Sequence, residues 1–203
     1  MSSPTKVPAG LTSGVIKTSE KAAKGPTFAD TGNAGKVIQL NDSGNIPPNL
    51  LNPVADQFRL LSNQAIGTSE ATLSGWERVD TAPQGTTSTG LTQSNGVFTF
   101  PSTGLYLVMA EVQFVRDSAN VDQIYARIQA QTSSIFHNVA ESYLGVTGST
   151  PGELAGLTTL INVTDTTDNK VQLTVVADAT GTSAVGASDR NKTCLTFLRI
   201  TGT

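Results

Sequence analysis

Hydrophobic and polar positions alternate with a period of two along much of the chain, and the longest such run covers residues 104–115. Successive side chains of a strand point to opposite faces, so this run predicts a long strand with two unlike faces. One face is apolar along its whole length and carries Tyr106, Val108, Ala110, Val112 and Phe114. The other face starts with Leu105, Leu107 and Met109 and then becomes polar at Glu111 and Gln113. The pattern predicts a central strand that packs inward on one face and meets a partner over half of the other.

Shorter runs predict further strands at residues 75–79, 96–100, 122–131, 134–141, 154–163, 169–177 and 192–200. The run 154–163 is apolar on both faces, which is typical of a strand buried on two sides. Residues that favour turns separate the runs, and long loops are predicted at 80–93 and 179–191. Roughly eight strands with this spacing, and no helical period, predict an all-β chain that folds as an antiparallel jelly-roll sandwich.

The first 53 residues lack this alternation and are predicted to form an extended arm with a short β-hairpin. Pro and Gly interrupt residues 1–30, which favours either a disordered tail or an arm that becomes ordered on another protein. The spacing of four apolar residues would let an extended arm lodge them in successive pockets: Val7, Leu11, Val15 and Ile16. Two short apolar-bearing runs flank a turn signal at 41–44 and predict the hairpin. The predicted organisation is an arm with a hairpin at 1–53, a connector at 54–70 and a jelly-roll knob at 71–203.

The composition excludes several classes of partner. Hydrophobic residues make up 37% and charged residues 14% of the 203 positions, so uncharged polar residues and glycine must supply much of the surface, as in turn-rich β proteins. A net charge of −3 without a basic stripe argues against a nucleic-acid partner. No apolar run is long enough to span a bilayer, and the N-terminus lacks the apolar core of a signal peptide. We therefore expect no membrane partner and no classical secretion.

No motif predicts an enzyme. The single histidine, His137, is not accompanied by a Gly-x-Ser-x-Gly nucleophile motif, and Cys194 on an alternating strand is typical of a small buried hydrophobe. Glu111 and Glu141 are an alternative as the carboxylate pair of a glycosidase, but aromatic residues make up only 5% of the chain and sugar clefts usually need such rings. We predict no catalytic residue and no cofactor.

Acidic residues in loops are the remaining candidate chemistry. Asp165, Asp168, Asp178 and Asp189 fall in predicted loops that could meet at one end of the sandwich, and calcium prefers oxygen ligands supplied by loops. Solvated turn residues are the simpler interpretation. We therefore predict no metal site and keep calcium at the apex of a trimer as the alternative.

The segment from Phe98 to Tyr106 resembles the Phe-x-x-Pro-x-x-Gly-x-Tyr signature of the complement-type globular head, which shares its trimeric jelly roll with tumour necrosis factor. Trp76 before the signature and the closing run 194–200 stand in the order that this family shows. The resemblance covers about residues 71–203. It implies a homotrimer around a threefold axis through one sheet of each sandwich, with Leu105, Leu107 and Met109 buried between protomers.

A second stretch, from Gly35 to Pro47, is similar to a sequence common in fibre and appendage proteins of tailed bacteriophages, where it leads from an attachment arm towards a trimeric tip. Arm, hairpin and jelly-roll knob in this order imply a small surface trimer of a phage particle. The resemblances together imply a structural, non-enzymatic capsid decoration or head-fibre protein on the capsid exterior. Its arm would bind the major capsid protein or another virion protein.

Three alternatives remain open at this point. The chain could be a tail-fibre tip, although tail fibres carry a long shaft and here the hairpin and knob are close in sequence. It could be a receptor-binding module whose loops at 80–93, 145–152 and 179–191 recognise a host surface glycan or protein. A secreted complement-like trimer is disfavoured by the missing signal peptide and collagen-like repeat.

Overall fold

The computed structural model describes residues 54–80, 82–86, 90–118, 120–147 and 152–201, including the side chains of all of these except Thr201. The chain in these ranges forms strands and turns without any helix, so none of it provides a helix that could cross a membrane. The predicted arm, its hairpin at 35–47 and the anchoring candidates Val7, Leu11, Val15 and Ile16 lie outside the described residues.

Thirteen strands within the described ranges form two antiparallel sheets that pack against each other. Sheet A contains β1 (Ala55–Leu60), β2 (Gln64–Ile66), β4 (Trp76–Arg78), β7 (Gly104–Arg116), β10 (Glu153–Val163), β12 (Thr182–Ala184) and β13 (Cys194–Thr201). Sheet B contains β3 (Ala71–Thr72), β5 (Thr92–Ser94), β6 (Val97–Thr99), β8 (Val121–Thr132), β9 (Ile135–Val146) and β11 (Lys170–Ala177). The predicted all-β antiparallel sandwich is confirmed.

Strand β7 is the centre of sheet A. It pairs with β10 on one side and with β13 and β12 on the other. The sheet continues from β13 to β1 and β4, and from β12 to β2. Sheet B has the order β5-β6-β11-β8-β9, with β3 also paired to β11. Because the chain passes repeatedly from one sheet to the other, strands distant in sequence become neighbours, as in a jelly roll.

The core lies between the two sheets and contains the predicted apolar face of β7. All five residues of that face are buried: Tyr106, Val108, Ala110, Val112 and Phe114. An aromatic cluster surrounds Phe98, whose ring centroid lies 4.9 Å from Phe58, 5.8 Å from Trp76 and 5.3 Å from Phe197. Edge-to-face and tilted ring pairs such as these stabilise beyond the area that they bury. The cluster therefore joins β6 of sheet B to β1, β4 and β13 of sheet A.

The signature from Phe98 to Tyr106 forms a corner between β6 and β7 and includes the first residues of β7. The rings of Phe100 and Tyr106 lie 4.6 Å apart in the core. The Tyr106 hydroxyl donates a 2.9 Å hydrogen bond to the carbonyl of Ser102, which closes the corner. Gly104 begins β7 at φ 143°, a backbone conformation that disfavours any residue with a Cβ. These contacts explain why the signature combines aromatic rings with a glycine at fixed spacing.

The structure differs from the sequence prediction at residues 54–70, which were predicted as a connector but contain β1 and β2. Strand β1 lies inside sheet A between β13 and β4, and three consecutive residues, Phe58, Arg59 and Leu60, are buried there. Arg59 is accommodated because its guanidinium bonds to Glu77 of β4. A charged residue at a buried position hides the alternation, so the strand was not recognisable from the pattern.

Two further predictions need correction. The loop predicted at 179–191 contains the short strand β12, which is recognisable only through its pairing with β2 and β7. Strand β10 was predicted to be buried on both faces, but Leu154 and Leu160 are 53% and 56% exposed. The inner face of β10 packs in the core, whereas the described part of this chain leaves these two leucines open to solvent.

Candidate functional site

The outer face of sheet A carries a continuous group of apolar side chains around β7. Leu107 stands opposite Leu160 of β10 on one side and opposite Leu198 of β13 on the other. Directly opposed side chains of neighbouring strands lie close enough to touch, so the three leucines form a row across the sheet. We call the apolar face the set Leu105, Leu107, Met109, Leu160 and Leu198.

The apolar face remains partly open to solvent. Leu160 is 56% exposed and Leu198 36% exposed, whereas Leu105, Leu107 and Met109 are half-buried. Ile200 adds a further exposed side chain after Leu198, where β13 has a bulge. Contiguous exposed apolar residues on a folded domain are typical of an interaction surface, so the apolar face is the candidate functional site.

Along the strands the same face becomes polar. Glu111 stands opposite Gly156 of β10 and opposite Cys194 of β13. The next strands place Arg59 beside Glu77, with a distance of 2.7 Å between the Arg59 Nη2 and Glu77 Oε2 atoms. The outer face of sheet A is therefore apolar near the beginning of β7 and charged farther along it, as the alternation in the sequence predicted.

The structure brings the three predicted interface residues, Leu105, Leu107 and Met109, together on this face. Their place between protomers stays a prediction. Sequence reasoning missed Leu160 and Leu198, which come from strands far away in the chain. The apolar second face of the run 154–163 was the available signal for Leu160, but it was interpreted only as a strand buried on two sides.

Two further exposed apolar side chains lie singly on β9 and β10, which run next to each other at one side of the sandwich. In the described part of the chain, β9 is the last strand of sheet B, and β10 pairs only with β7. Val139 is exposed on β9 of sheet B, whereas Leu154 is exposed on the outer face of sheet A, the face that also carries Leu160. Val139 is the extra residue of a bulge, because Ile128 pairs with Ala140 while the neighbouring Gln129 pairs with Asn138.

The candidate catalytic residues do not converge. Glu111 lies on the outer face of sheet A, whereas Glu141 lies on the outer face of sheet B, where its carboxylate accepts a 2.5 Å hydrogen bond from Arg127. The glycosidase pair considered from the sequence is therefore not formed, because the sandwich separates the two carboxylates. His137 is exposed on β9 near the turn that joins β8 to β9.

Cys194 is buried, and this burial, together with the nearby negative charge of Glu111, raises the pKa of its thiol to about 11. The nucleophilic form of cysteine is the thiolate. At neutral pH the thiol therefore stays protonated and inaccessible. This agrees with the prediction that Cys194 acts as a small buried hydrophobic residue.

The four loop aspartates do not meet at one end of the sandwich. Asp165 and Asp168 belong to the turn before β11, whereas Asp178 follows the other end of that strand. Asp189 pairs with Arg190. Within the described ranges, no group of three or more His, Cys, Asp or Glu residues is arranged to hold a metal ion. The alternative of a calcium site built from all four within one chain is therefore not supported.

Comparison with solved structures gives the fold a context. The chain is similar to murine APRIL in crystal structures at pH 8.5 and pH 5.0, each with a TM-score of 0.53 and 11% identity over 73% of this chain and 100% of that one. It is also similar to Eiger TNF from S. frugiperda, with a TM-score of 0.52 and 13% identity over 75% of this chain and 96% of that one. The fold is therefore a tumour-necrosis-factor-like jelly roll, as the signature implied. No protein-family model and no curated protein sequence matches the chain.

Proposed function

We propose that this protein is a non-enzymatic, homotrimeric component of a tailed-bacteriophage virion surface, either a capsid decoration protein or a head fibre. Its N-terminal arm binds the particle, and the jelly-roll knob points outward. The observation that carries the proposal is the apolar face on sheet A. Supporting features are the jelly-roll fold and the similarity of residues 35–47 to phage fibre sequences.

The homotrimer is favoured because the apolar face lies on the outside of one sheet of the sandwich. The family resemblance implies three copies around a threefold axis that passes along one sheet of each sandwich. The apolar face supplies a surface for that contact, since Leu160 and Leu198 remain exposed in the single chain. Covering the exposed part of Leu160 alone contributes roughly 1 kcal/mol per protomer.

The head of the particle is favoured over the tail because the segment between the predicted hairpin and the knob is too short for a shaft. The predicted hairpin ends at Pro47, and β1 of the sandwich already begins at Ala55. Three arms in one trimer bind with avidity, since the second and third attach as intramolecular events once the first is bound. Weak contacts by Val7, Leu11, Val15 and Ile16 would then suffice for stable attachment.

Two variants of the full chain test this proposal. Leu160→Glu places a charge in the apolar face and should convert the trimer to a folded monomer, measured by light scattering at micromolar concentration. Leu61→Glu, at an exposed leucine outside this face, is the matched control and should stay trimeric. A wild-type protein that is monomeric at this concentration contradicts the homotrimer.

The arm is tested by replacing Val7, Leu11, Val15 and Ile16 with serine. The variant should remain a trimer with an unchanged circular-dichroism spectrum but fail to bind particles that lack the wild-type protein. Full occupancy by the variant, observed by electron microscopy, would show that the arm is not the anchor. Normal adsorption of particles without the protein is expected for decoration, whereas lost adsorption would favour the receptor-binding alternative.

A further inference from the structure

The outer face of sheet B has a different character from that of sheet A, because its side chains are ordered by hydrogen bonds to one another. It begins with two aromatic rings on neighbouring strands. Tyr125 of β8 stands opposite Tyr143 of β9, and their ring centroids are 5.8 Å apart at an interplanar angle of 32°. Tyr143 is 68% exposed, more than any other large hydrophobic side chain of the described residues. The two rings are tilted relative to each other, and Tyr143 presents most of its surface to solvent.

A row of charged side chains follows the tyrosines. Arg127 of β8 stands opposite Glu141 of β9 and donates to it from Nε at 2.5 Å. Its Nη1 donates to Glu70 at 3.1 Å. The same guanidinium lies 5.0 Å from the centre of the Tyr125 ring. One cation is thus shared by two carboxylates and one aromatic ring.

A row of amides comes next and continues the network across three strands. Gln129 of β8 donates to Asn138 of β9 at 2.8 Å, and Gln172 of β11 donates to Gln129 at 2.7 Å. The Gln172 side chain in turn accepts a 3.1 Å hydrogen bond from the hydroxyl of Thr72. We call the polar face the set Tyr125, Tyr143, Arg127, Glu141, Gln129, Asn138 and Gln172.

This network holds planar polar groups in fixed orientations on the outer surface of sheet B. Gln129 is buried although it points away from the core. Groups that are ordered before a ligand arrives lose little conformational entropy on binding. Tyrosine likewise supplies a large contact area at low entropic cost.

We propose that the polar face binds a linear neutral oligosaccharide, with one sugar ring stacked on Tyr143 and the next rings hydrogen-bonded to the exposed side chains of Glu141 and Asn138. A sugar ring has an apolar surface and a rim of hydroxyl groups that both donate and accept. The Tyr143 ring matches the apolar surface. Carboxylate and amide oxygens accept from hydroxyl groups, and amide nitrogens donate to them.

Charge distinguishes this ligand from its competitors. Arg127 already forms ion pairs with Glu70 and Glu141. The charged row and the amide row therefore contain no unpaired cation that could bind an anionic ligand. The only lysine of β11, Lys170, lies beyond the amide row, opposite Thr99. A protein partner would require an apolar centre, which these polar rows do not provide. From Tyr125 to Gln131 the face extends about 20 Å along β8, which suits an extended ligand.

This inference is independent of the proposed trimer, because it uses the opposite sheet. Isothermal titration calorimetry of the full-length protein with cellohexaose, maltohexaose and N-acetylchitohexaose, at up to millimolar sugar, tests it. At least one of the three should bind. Tyr143→Ala should weaken that binding tenfold or more, whereas Tyr143→Phe, which keeps the ring, should stay within about threefold of wild type.

The control for the substitution is Ile135→Ala, which removes a similarly exposed side chain from the hairpin end of the same strand and should leave binding unchanged. Unchanged circular dichroism and melting temperature show that each variant is folded. The proposal is overturned if none of the three sugars binds, or if Tyr143→Ala binds as tightly as wild type. It is equally overturned if only a sulfated oligosaccharide binds and the binding disappears with added salt.

Discussion

Asp168 shows how one side chain determines the geometry of a turn in this protein. Its carboxylate accepts hydrogen bonds from the backbone N–H groups of Ser133, at 2.7 Å, and Ser134, at 2.8 Å. These two residues connect β8 to β9 with positive φ values of 51° and 63°. Such values favour glycine or asparagine in a two-residue hairpin. The carboxylate stabilises the turn from another loop, which is why serine suffices at both positions.

The same contacts predict a dependence on pH. The N–H groups of Ser134 and Ser133 hold the pKa of Asp168 below its ordinary value of 3.8 in the folded protein. A group with a lowered pKa stabilises the fold above its unfolded pKa, and this contribution is lost as the pH falls through the folded pKa. Asp168→Asn should therefore melt below wild type at pH 7, and the difference should shrink below about pH 4.

Thermal unfolding between pH 7 and pH 2.5, followed by circular dichroism, measures this effect. Asp122→Asn, at an exposed position of β8, controls for the loss of one negative charge. Parallel melting profiles for both variants over the whole range would contradict a specific role of Asp168.

At the scale of an element, Asp56 connects β1 to β4 and to the segment that precedes β5. Its side chain is fully buried and lies 3.1 Å from Arg78 of β4 in a two-point contact. It also accepts from the hydroxyl of Thr86 at 3.0 Å and from the backbone N–H of Leu91 at 2.8 Å. The guanidinium of Arg78 lies 5.1 Å from the ring centre of Phe58. The network around Asp56 and Arg78 therefore holds β1 to β4 and to the segment before β5, next to the aromatic cluster.

Removing this carboxylate should be costly. Asp56→Ala leaves Arg78 without its anion and the Leu91 N–H without its acceptor, so the free energy of unfolding should fall by roughly 3 kcal/mol. Urea unfolding of the purified protein measures the change. Asp189→Ala breaks the exposed pair with Arg190 and should give no measurable change. If Asp56→Ala lowers the free energy of unfolding by less than about 1 kcal/mol, the Asp56–Arg78 pair contributes no more than an ordinary surface ion pair.

The elements also differ in how far sequence could identify them. Strand β7 was predictable, with both faces, because thirteen residues alternate over a length that averages out exceptions. Strand β1 was not, since Asp56 and Arg59 are buried in a strand of six residues and disguise its period. Short strands such as β12 owe their existence to hydrogen bonds with partners distant in sequence, and local pattern contains no information about those partners.

At the scale of the whole molecule, the proposed homotrimer would make assembly part of stability. A protein that is folded only as an oligomer, or more stably so, melts at a temperature that depends on its concentration. The melting temperature of the wild type should therefore rise by about 3 °C for each tenfold increase in concentration. Leu160→Glu should melt at a temperature that does not depend on concentration.

Differential scanning calorimetry measures this dependence at protein concentrations from about 5 to about 500 µM. This range of roughly two decades is wide enough to show the expected shift. Leu61→Glu should follow the wild type. A wild-type melting temperature that stays constant over this range would show that stability does not depend on assembly. That result would contradict the apolar face as an interface between protomers.

The sequence by itself determined the fold class, the two faces of β7 and the corner of Phe100, Ser102, Gly104 and Tyr106. Each of these depends on residues that are neighbours in the chain, where alternation, ring packing and backbone conformation act locally. Tertiary structure decided which strands meet. Only the pairing of β7 with β10 and β13 joined Leu107 to Leu160 and Leu198, separated Glu111 from Glu141, and collected the polar face from three strands. Pairing between distant segments follows from the packing of the whole core, so it could not be deduced from any one segment.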